Sequence, residues 1–286
     1  MCRALAPHCW NVYLSCAGEP LLHPQFAAAL QVTDRALAGC DTALVTNGWH
    51  LGEAAAQAIA ASRLSTLYVS IDSVDPSLFG RLCGVGPTGL ARVQEQVLAL
   101  RQRIGAQAFP KIIVTSIAMR STLSGLPAVT QWAAASRLHG HKVQLLLPGT
   151  MPDRGEEVIL DRAMRNALRP AQRVAAAAGM HFDYPASATP AKLASLWSGR
   201  RLVRNRLAYC GWVLRRVAGR RRKGCRYTPY ELTVSASGGV SVCPFRSEIL
   251  WDIVREGPVG SAELRRRMDA VRPDAPECAQ CRFAGR

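Results

Sequence analysis

Four cysteines toward the C-terminus, Cys225, Cys243, Cys278 and Cys281, have the spacing of metal ligands. A C-x-x-C pair such as Cys278 and Cys281 presents two sulfurs from one tight turn. Four thiolates can hold a structural zinc or a [4Fe–4S] cluster, and spacing alone leaves both open. The other cysteines are weaker candidates. Cys2, Cys9 and Cys16 are each seven apart, with Cys9 ahead of a strand and Cys16 at its end, so they do not easily share a metal. Cys40, Cys83 and Cys210 read as inert core or surface thiols, whereas Cys16 would sit at the mouth of a pocket. Ten cysteines with no evident signal peptide argue against a disulfide framework and for reduced thiols in a cytoplasmic chain.

A second set of chemistry-bearing residues lies in three short polar segments, each following an apolar run. They are Cys16-Ala17-Gly18-Glu19-Pro20, Thr46-Asn47-Gly48 and Ser70-Ile71-Asp72-Ser73. Glu19 and Asp72 can accept hydrogen bonds from an amine or hydroxyls, and glycine lets backbone approach a ligand closely. An ordinary turn or strand-end role is the competing reading for each of these residues.

The elements that must position these groups follow from periodicity. Strands are expected at Val12–Cys16, Thr42–Thr46, Thr66–Ile71, Lys111–Ile117 and Lys142–Leu147. Helices are expected at Pro24–Ala38, Leu51–Ser62, Gly89–Arg103, Leu126–Leu138 and Glu156–Ala178, with a short extended piece at Met180–Tyr184. Alternation of strand and helix with short connections predicts a parallel sheet flanked by helices, with its site in the loops that leave the C-terminal strand ends. Residues 185–190 read as a linker. Tyr230–Ser235, the Gly238-Gly239 turn and Val240–Cys243 form a hairpin that could bring Cys225 and Cys243 to one end of two paired strands, and Ala262–Val271 can be helical.

The formal net charge is +16 and unevenly spread. Residues 200–223 contain ten Arg or Lys and no acid. Such a run, from Arg200 to Lys223, attracts anionic partners such as phosphates, nucleic acid or acidic lipid heads; a solvated basic face is the competing reading. No apolar run is long enough and free of charge for a membrane span.

Together these motifs resemble the radical S-adenosylmethionine (SAM) superfamily with a C-terminal iron–sulfur module of the SPASM type. The residues from Gly18 to Pro20 resemble the family's GGEP segment, with Ala17 in place of its first glycine. Thr46-Asn47-Gly48 resembles its T-N-G turn, and Val69–Ser73 with Arg81 resembles the segment after its fourth strand. Cys225, Gly239–Cys243 and the Cys278/Cys281 pair resemble an abbreviated SPASM module. The resemblance implies a partial (βα)6 barrel over residues 1–185, a linker and basic segment over 186–224, and a cysteine module over 225–286. It implies that Gly18, Glu19 and Pro20 border the SAM amine. Ser70 would lie near the ribose, with Asp72 supporting its loop. Arg81 would approach the SAM carboxylate, and Thr46 and Asn47 would shape the pocket floor. It favours a [4Fe–4S] cluster over zinc at the four C-terminal cysteines.

The resemblance further implies an enzyme that cleaves SAM to a 5′-deoxyadenosyl radical and modifies a substrate, a peptide being the first expectation. A small electron donor such as flavodoxin or ferredoxin is implied as partner. A non-catalytic iron–sulfur or zinc scaffold is the alternative, and a nucleic-acid binder built on residues 200–223 is a third. The family's C-x3-C-x2-C loop, which binds the SAM cluster, does not occur in the sequence. The first strand corresponds to the family's second. The expectation is therefore a chain lacking its first βα unit, either weakly stable alone or translated from upstream of Met1. Each missing ladder bond forfeits about 0.5–1.5 kcal/mol of an ordinary margin of about 5–15 kcal/mol.

Overall fold

The computed structural model describes residues 2–5, 9, 11–14, 18–105, 109–146, 154–158, 161–184, 232–235, 237–241 and 249–270. The chain divides into two compact units, Asn11–Leu202 and a second made of Met1–Trp10 with Val203–Arg286.

The larger unit is a six-stranded parallel sheet: β1 Asn11–Tyr13, β2 Asp41–Thr46, β3 Thr66–Ser70, β4 Lys111–Ala118, β5 Gly140–Leu145 and β6 His181–Asp183. Spatial order equals chain order, β1 to β6, without reversal. Right-handed crossovers that always step the same way put every connecting helix on one face, which is barrel rather than doubly wound construction. Those helices are α2 Phe26–Ala36, α3 Glu53–Ala61, α4 Pro76–Cys83, α5 Gly89–Ile104, α6 Leu126–Ala135 and α7 Arg162–Ala177; α1, Cys2–Leu5, belongs to the other unit. Leu67 and Val69 of β3 and Ile112 and Val114 of β4 pack with Ile59, Val93, Val97 and Leu100 in a buried apolar core.

The opposite face of the sheet carries larger polar groups. Tyr13 stacks on Tyr68 with ring centroids 6.0 Å apart, and the Lys142 ammonium lies 5.2 Å from the Tyr68 ring. Desolvation, then the neighbouring Tyr13, pushes the Tyr68 phenol above its ordinary range. Thr115 Oγ1 donates to Gln144 Oε1 at 3.1 Å on the same face.

Most expected elements form, with shifted ends. The extended piece at Met180–Tyr184 contains the sixth strand. Helix α7 starts at Arg162 rather than Glu156, because Asp161 accepts from Met164 N at 2.8 Å and caps it. Glu156 instead binds the amide and hydroxyl of Ser121 at 2.9 and 2.8 Å. Helix α4 is unforeseen by periodicity. Its signals are punctuation: Asp75 caps Leu78 N, Pro76 opens the first turn, and Gly84 closes it at φ +66°.

In the second unit, α1 Cys2–Leu5 contributes Ala4 to a small core with Val240, Trp251, Ile253 and Leu264. The hairpin expected around Gly238-Gly239 forms as β7 Thr233–Val234 and β8 Gly239–Ser241, and a third antiparallel strand, β9 Trp251–Asp252, joins them. Helices α8 Ile253–Glu256 and α9 Ser261–Ala270 follow. Arg267 links Glu263, Glu256 and the Leu250 carbonyl. Among the described residues, no helix is long and apolar enough to cross a membrane.

Candidate functional site at the strand ends

The carboxyl ends of β1 to β4 lie side by side, and two carboxylates organise them. Glu19 caps the 3-10 turn at Pro20–Leu22, accepting from Leu21 N at 3.1 Å through Oε1. The same oxygen accepts from Thr46 Oγ1 at 2.7 Å, and Oε2 accepts from Asn47 N at 2.7 Å. One carboxylate therefore ties the loop after β1 to the loop after β2. An ionised carboxylate offers about four acceptor lobes, so these three donors leave one lobe of Oε2.

The turn after β2 is built by its three residue types. Thr46 Oγ1 accepts from Gly48 N at 3.0 Å, and Asn47 Oδ1 accepts from Trp49 N at 2.9 Å. Gly48 has φ +75°, and a Cβ there would lie 2.9 Å from Val93 Cγ1 and 3.2 Å from Val69 Cγ1. Only glycine satisfies both conditions. Gly18 differs: a Cβ there would meet nothing within 4 Å.

Beside them, the tip of β3 leaves the ladder. A continued parallel ladder would give the Ile117 N–H to Ile71 O. Instead Ile117 N donates to Asp72 Oδ1 at 2.7 Å, and Ile71 O accepts from the Ser116 hydroxyl. Burial pushes the Asp72 carboxyl above the usual range, partly offset by the Ile117 N–H. Ser70 is half-buried at the last position of β3. Arg81 is exposed in the last turn of α4. Two residues on, Cys83 is exposed, and partial desolvation, then the charge of Asp72, raises its thiol.

The structure thus brings Glu19, Pro20, Thr46 and Asn47 into one hydrogen-bonded corner. Ser70 and Asp72 lie on the adjoining tip, since Thr46 is in register with Val69. Among the described residues, Arg81 forms no hydrogen bond or ion pair with that corner. Cys16, Cys225, Cys243, Cys278 and Cys281 lie outside the described residues. Among the described residues, no group of three or more His, Cys, Asp or Glu could hold a metal ion. Periodicity did not single out Ser116 or His141. Their signal was a polar residue on a strand face whose alternate positions are apolar.

No family model matches the chain, and no curated protein matches it. Among solved structures, native anSMEcpe with bound AdoMet and Cp18Cys peptide superposes with a TM-score of 0.60 at 13% identity, over 99% of this chain and 76% of that one. SuiB of Streptococcus suis bound to precursor peptide SuiA gives 0.58 at 13% identity, over 95% and 58%. SuiB bound to S-adenosylmethionine gives 0.56 at 11% identity, over 96% and 59%. The chain shares the fold of these structures, with a six-stranded parallel sheet flanked by helices. At these identities the likeness shows the fold alone. The chain spans 56% to 59% of the length of the SuiB chains it matches.

Proposed function

We propose that the strand ends carrying Gly18, Glu19, Asn47, Ser70 and Asp72 bind S-adenosylmethionine, and that they do so in a radical-SAM enzyme acting on a peptide. The observation that carries this reading is the Glu19 clamp. It fixes two loops whose motifs resemble the SAM pocket, and it leaves one acceptor lobe of Oε2 for an ammonium group. The site fits such a ligand in a second way: the space over Gly18 is open although the fold does not require glycine there. Glu19 would hold the amine and orient the ligand along the tips. Ser70, whose hydroxyl has no hydrogen bond to a described residue, would take a sugar hydroxyl. Arg81 would meet the carboxylate from α4.

Four thiolates at Cys225, Cys243, Cys278 and Cys281 suit a [4Fe–4S] cluster in the second unit; when bound, such a cluster supplies one-electron chemistry. A small electron-donor protein belongs to the same reading. The peptide substrate is suggested by SuiB bound to precursor peptide SuiA and by anSMEcpe with bound Cp18Cys peptide.

The test is equilibrium dialysis of S-adenosylmethionine against the full chain after anaerobic reconstitution with iron and sulfide. Wild type is expected to bind. Gly18→Val, which fills open space, is expected to abolish binding while leaving thermal stability unchanged. Failure of the folded wild type to bind overturns the proposal. Binding without release of 5′-deoxyadenosine under reducing conditions would favour a metal-binding scaffold instead.

A further inference from the structure

Behind the β3 tip runs a buried polar chain that the SAM-site residues do not include. Thr130 of α6, His141 of β5 and Ser116 of β4 are each 0–1% exposed, on a helix–sheet interface otherwise lined by Ala118, Leu126, Val143 and Leu168. His141 Nδ1 lies 2.8 Å from Thr130 Oγ1, and Nε2 lies 2.9 Å from Ser116 Oγ. Thr130 Oγ1 also reaches Leu126 O at 2.9 Å, and Ser116 Oγ reaches Ile71 O. Phe182 packs edge-on to the imidazole, with ring centroids 5.6 Å apart.

Proton counting assigns the direction of this chain. A neutral imidazole and two hydroxyls hold three protons for four gaps. Leu126 O, inside α6, has a helical N–H partner, so it can do without the Thr130 proton. Ile71 O has lost its ladder donor to Asp72 and needs the Ser116 proton. Ser116 Oγ must then accept from His141 Nε2–H, and Nδ1 must accept from Thr130. The imidazole is thereby held as the Nε2–H tautomer, which fixes the Ser116 rotamer. Burial, which draws the imidazole down to about 3, keeps it neutral.

Three consecutive residues of β4 then grip the tip of β3. Thr115 O accepts from Ile71 N at 3.0 Å, Ser116 Oγ donates to Ile71 O, and Ile117 N donates to Asp72 Oδ1. Remove the hydroxyl, and the Ile71 carbonyl is left without a donor at a break in the ladder. The peptide linking Ile71 to Asp72 is then free to turn.

We infer that Ser116 and His141 are positioning residues: they hold the Ile71–Asp72 peptide in the one orientation that presents Ser70 and Asp72 to the ligand. This rests on the SAM reading above. The bland reading, that a buried histidine is merely satisfied, leaves the exit from the ladder at Ile71 without a function.

The experiment compares wild type, Ser116→Ala, Ser116→Thr and His141→Asn as full chains. Amide exchange is read at Ile71 and Ile117, with the amides of α5 as a reference for global stability, and S-adenosylmethionine affinity by dialysis. Ser116→Ala is expected to accelerate exchange at Ile71 and Ile117 by about ten-fold relative to α5 and to weaken SAM by about ten-fold, the equivalent of one hydrogen bond. Ser116→Thr, which keeps the hydroxyl, is expected to restore both. His141→Asn is expected to resemble Ser116→Ala. If exchange at Ile71 and Ile117 is unchanged in Ser116→Ala, or if it accelerates while affinity is untouched, the inference fails and the SAM reading stands. If folded wild type does not bind SAM, the SAM reading fails first and takes the ligand-positioning role with it.

Discussion

The corner of β1 and β2 and the tip of β3 and β4 each rest on one carboxylate, yet the two carboxylates do opposite things. Glu19 takes three donors from two loops and is spent largely on construction. Asp72 takes one backbone N–H and has its carboxyl pushed upward by burial. A brace and a poised group thus arise from similar residues in equivalent places, at the ends of parallel strands. The difference comes from what the next strand offers. β2 ends in a turn with its own donors, whereas β4 continues past β3 and supplies a single N–H. Strand-end acids in this fold therefore cannot be assigned a role by position alone; the count of donors decides.

The largest expected effect breaks the brace from behind. Gly48→Ala imposes a side chain at φ +75° and a contact of 2.9 Å with Val93; urea unfolding should show a loss of about 3 kcal/mol. Next, Glu19→Ala removes all three hydrogen bonds of the clamp and should cost about 2 kcal/mol, less than their sum because the site is partly solvated. A loss below about 0.5 kcal/mol would show that Glu19 is not a brace.

A smaller effect concerns pH. His141 is held near 3 by burial, against an ordinary value of 6.5. The unfolded chain takes up a proton there that the folded chain refuses. Its contribution is therefore complete above the ordinary histidine range and is lost as pH falls toward 3, by about 1.4 kcal/mol per pH unit. Unfolding at pH 7, 6 and 5 in wild type and His141→Gln isolates this slope, which the variant should lack.

The smallest effect falls on Asp72. Its raised carboxyl favours the protonated form in the folded state, so its contribution is present below the ordinary carboxylate range and is lost as pH rises through the folded value. Asp72→Asn, which keeps an acceptor for Ile117 N and carries no charge, should change stability at pH 7 by less than about 1 kcal/mol. A loss as large as that of Glu19→Ala would erase the contrast between the two tips.

Much of this was legible in the sequence. Alternating apolar runs and amphipathic stretches gave the parallel sheet, and the described parts of the polar segments, Gly18–Pro20, Thr46–Gly48 and Ser70–Ser73, do lie on adjacent tips. The helix at Pro76–Cys83 was not seen, because eight residues are too few for periodicity to register. Its Asp-Pro start and Gly84 stop were nonetheless in view. The grip of β4 on β3 was also hidden. Ser116 and His141 are far apart in sequence, and only the β4–β5 register, Ser116 with Val143 and Val114 with His141, brings them together. The roles of Glu19 and Asp72 looked alike because a sequence does not show which N–H groups a carboxylate will meet.

On the proposed function, the tips of β1 to β3 form one binding surface for S-adenosylmethionine. Amide exchange of the reconstituted full chain with and without this ligand tests it most directly. Protection is expected at residues 18–19, 46–48 and 70–72 together, rising with ligand along one binding curve. Protection confined to one of those segments, or found only elsewhere in the chain, would contradict it.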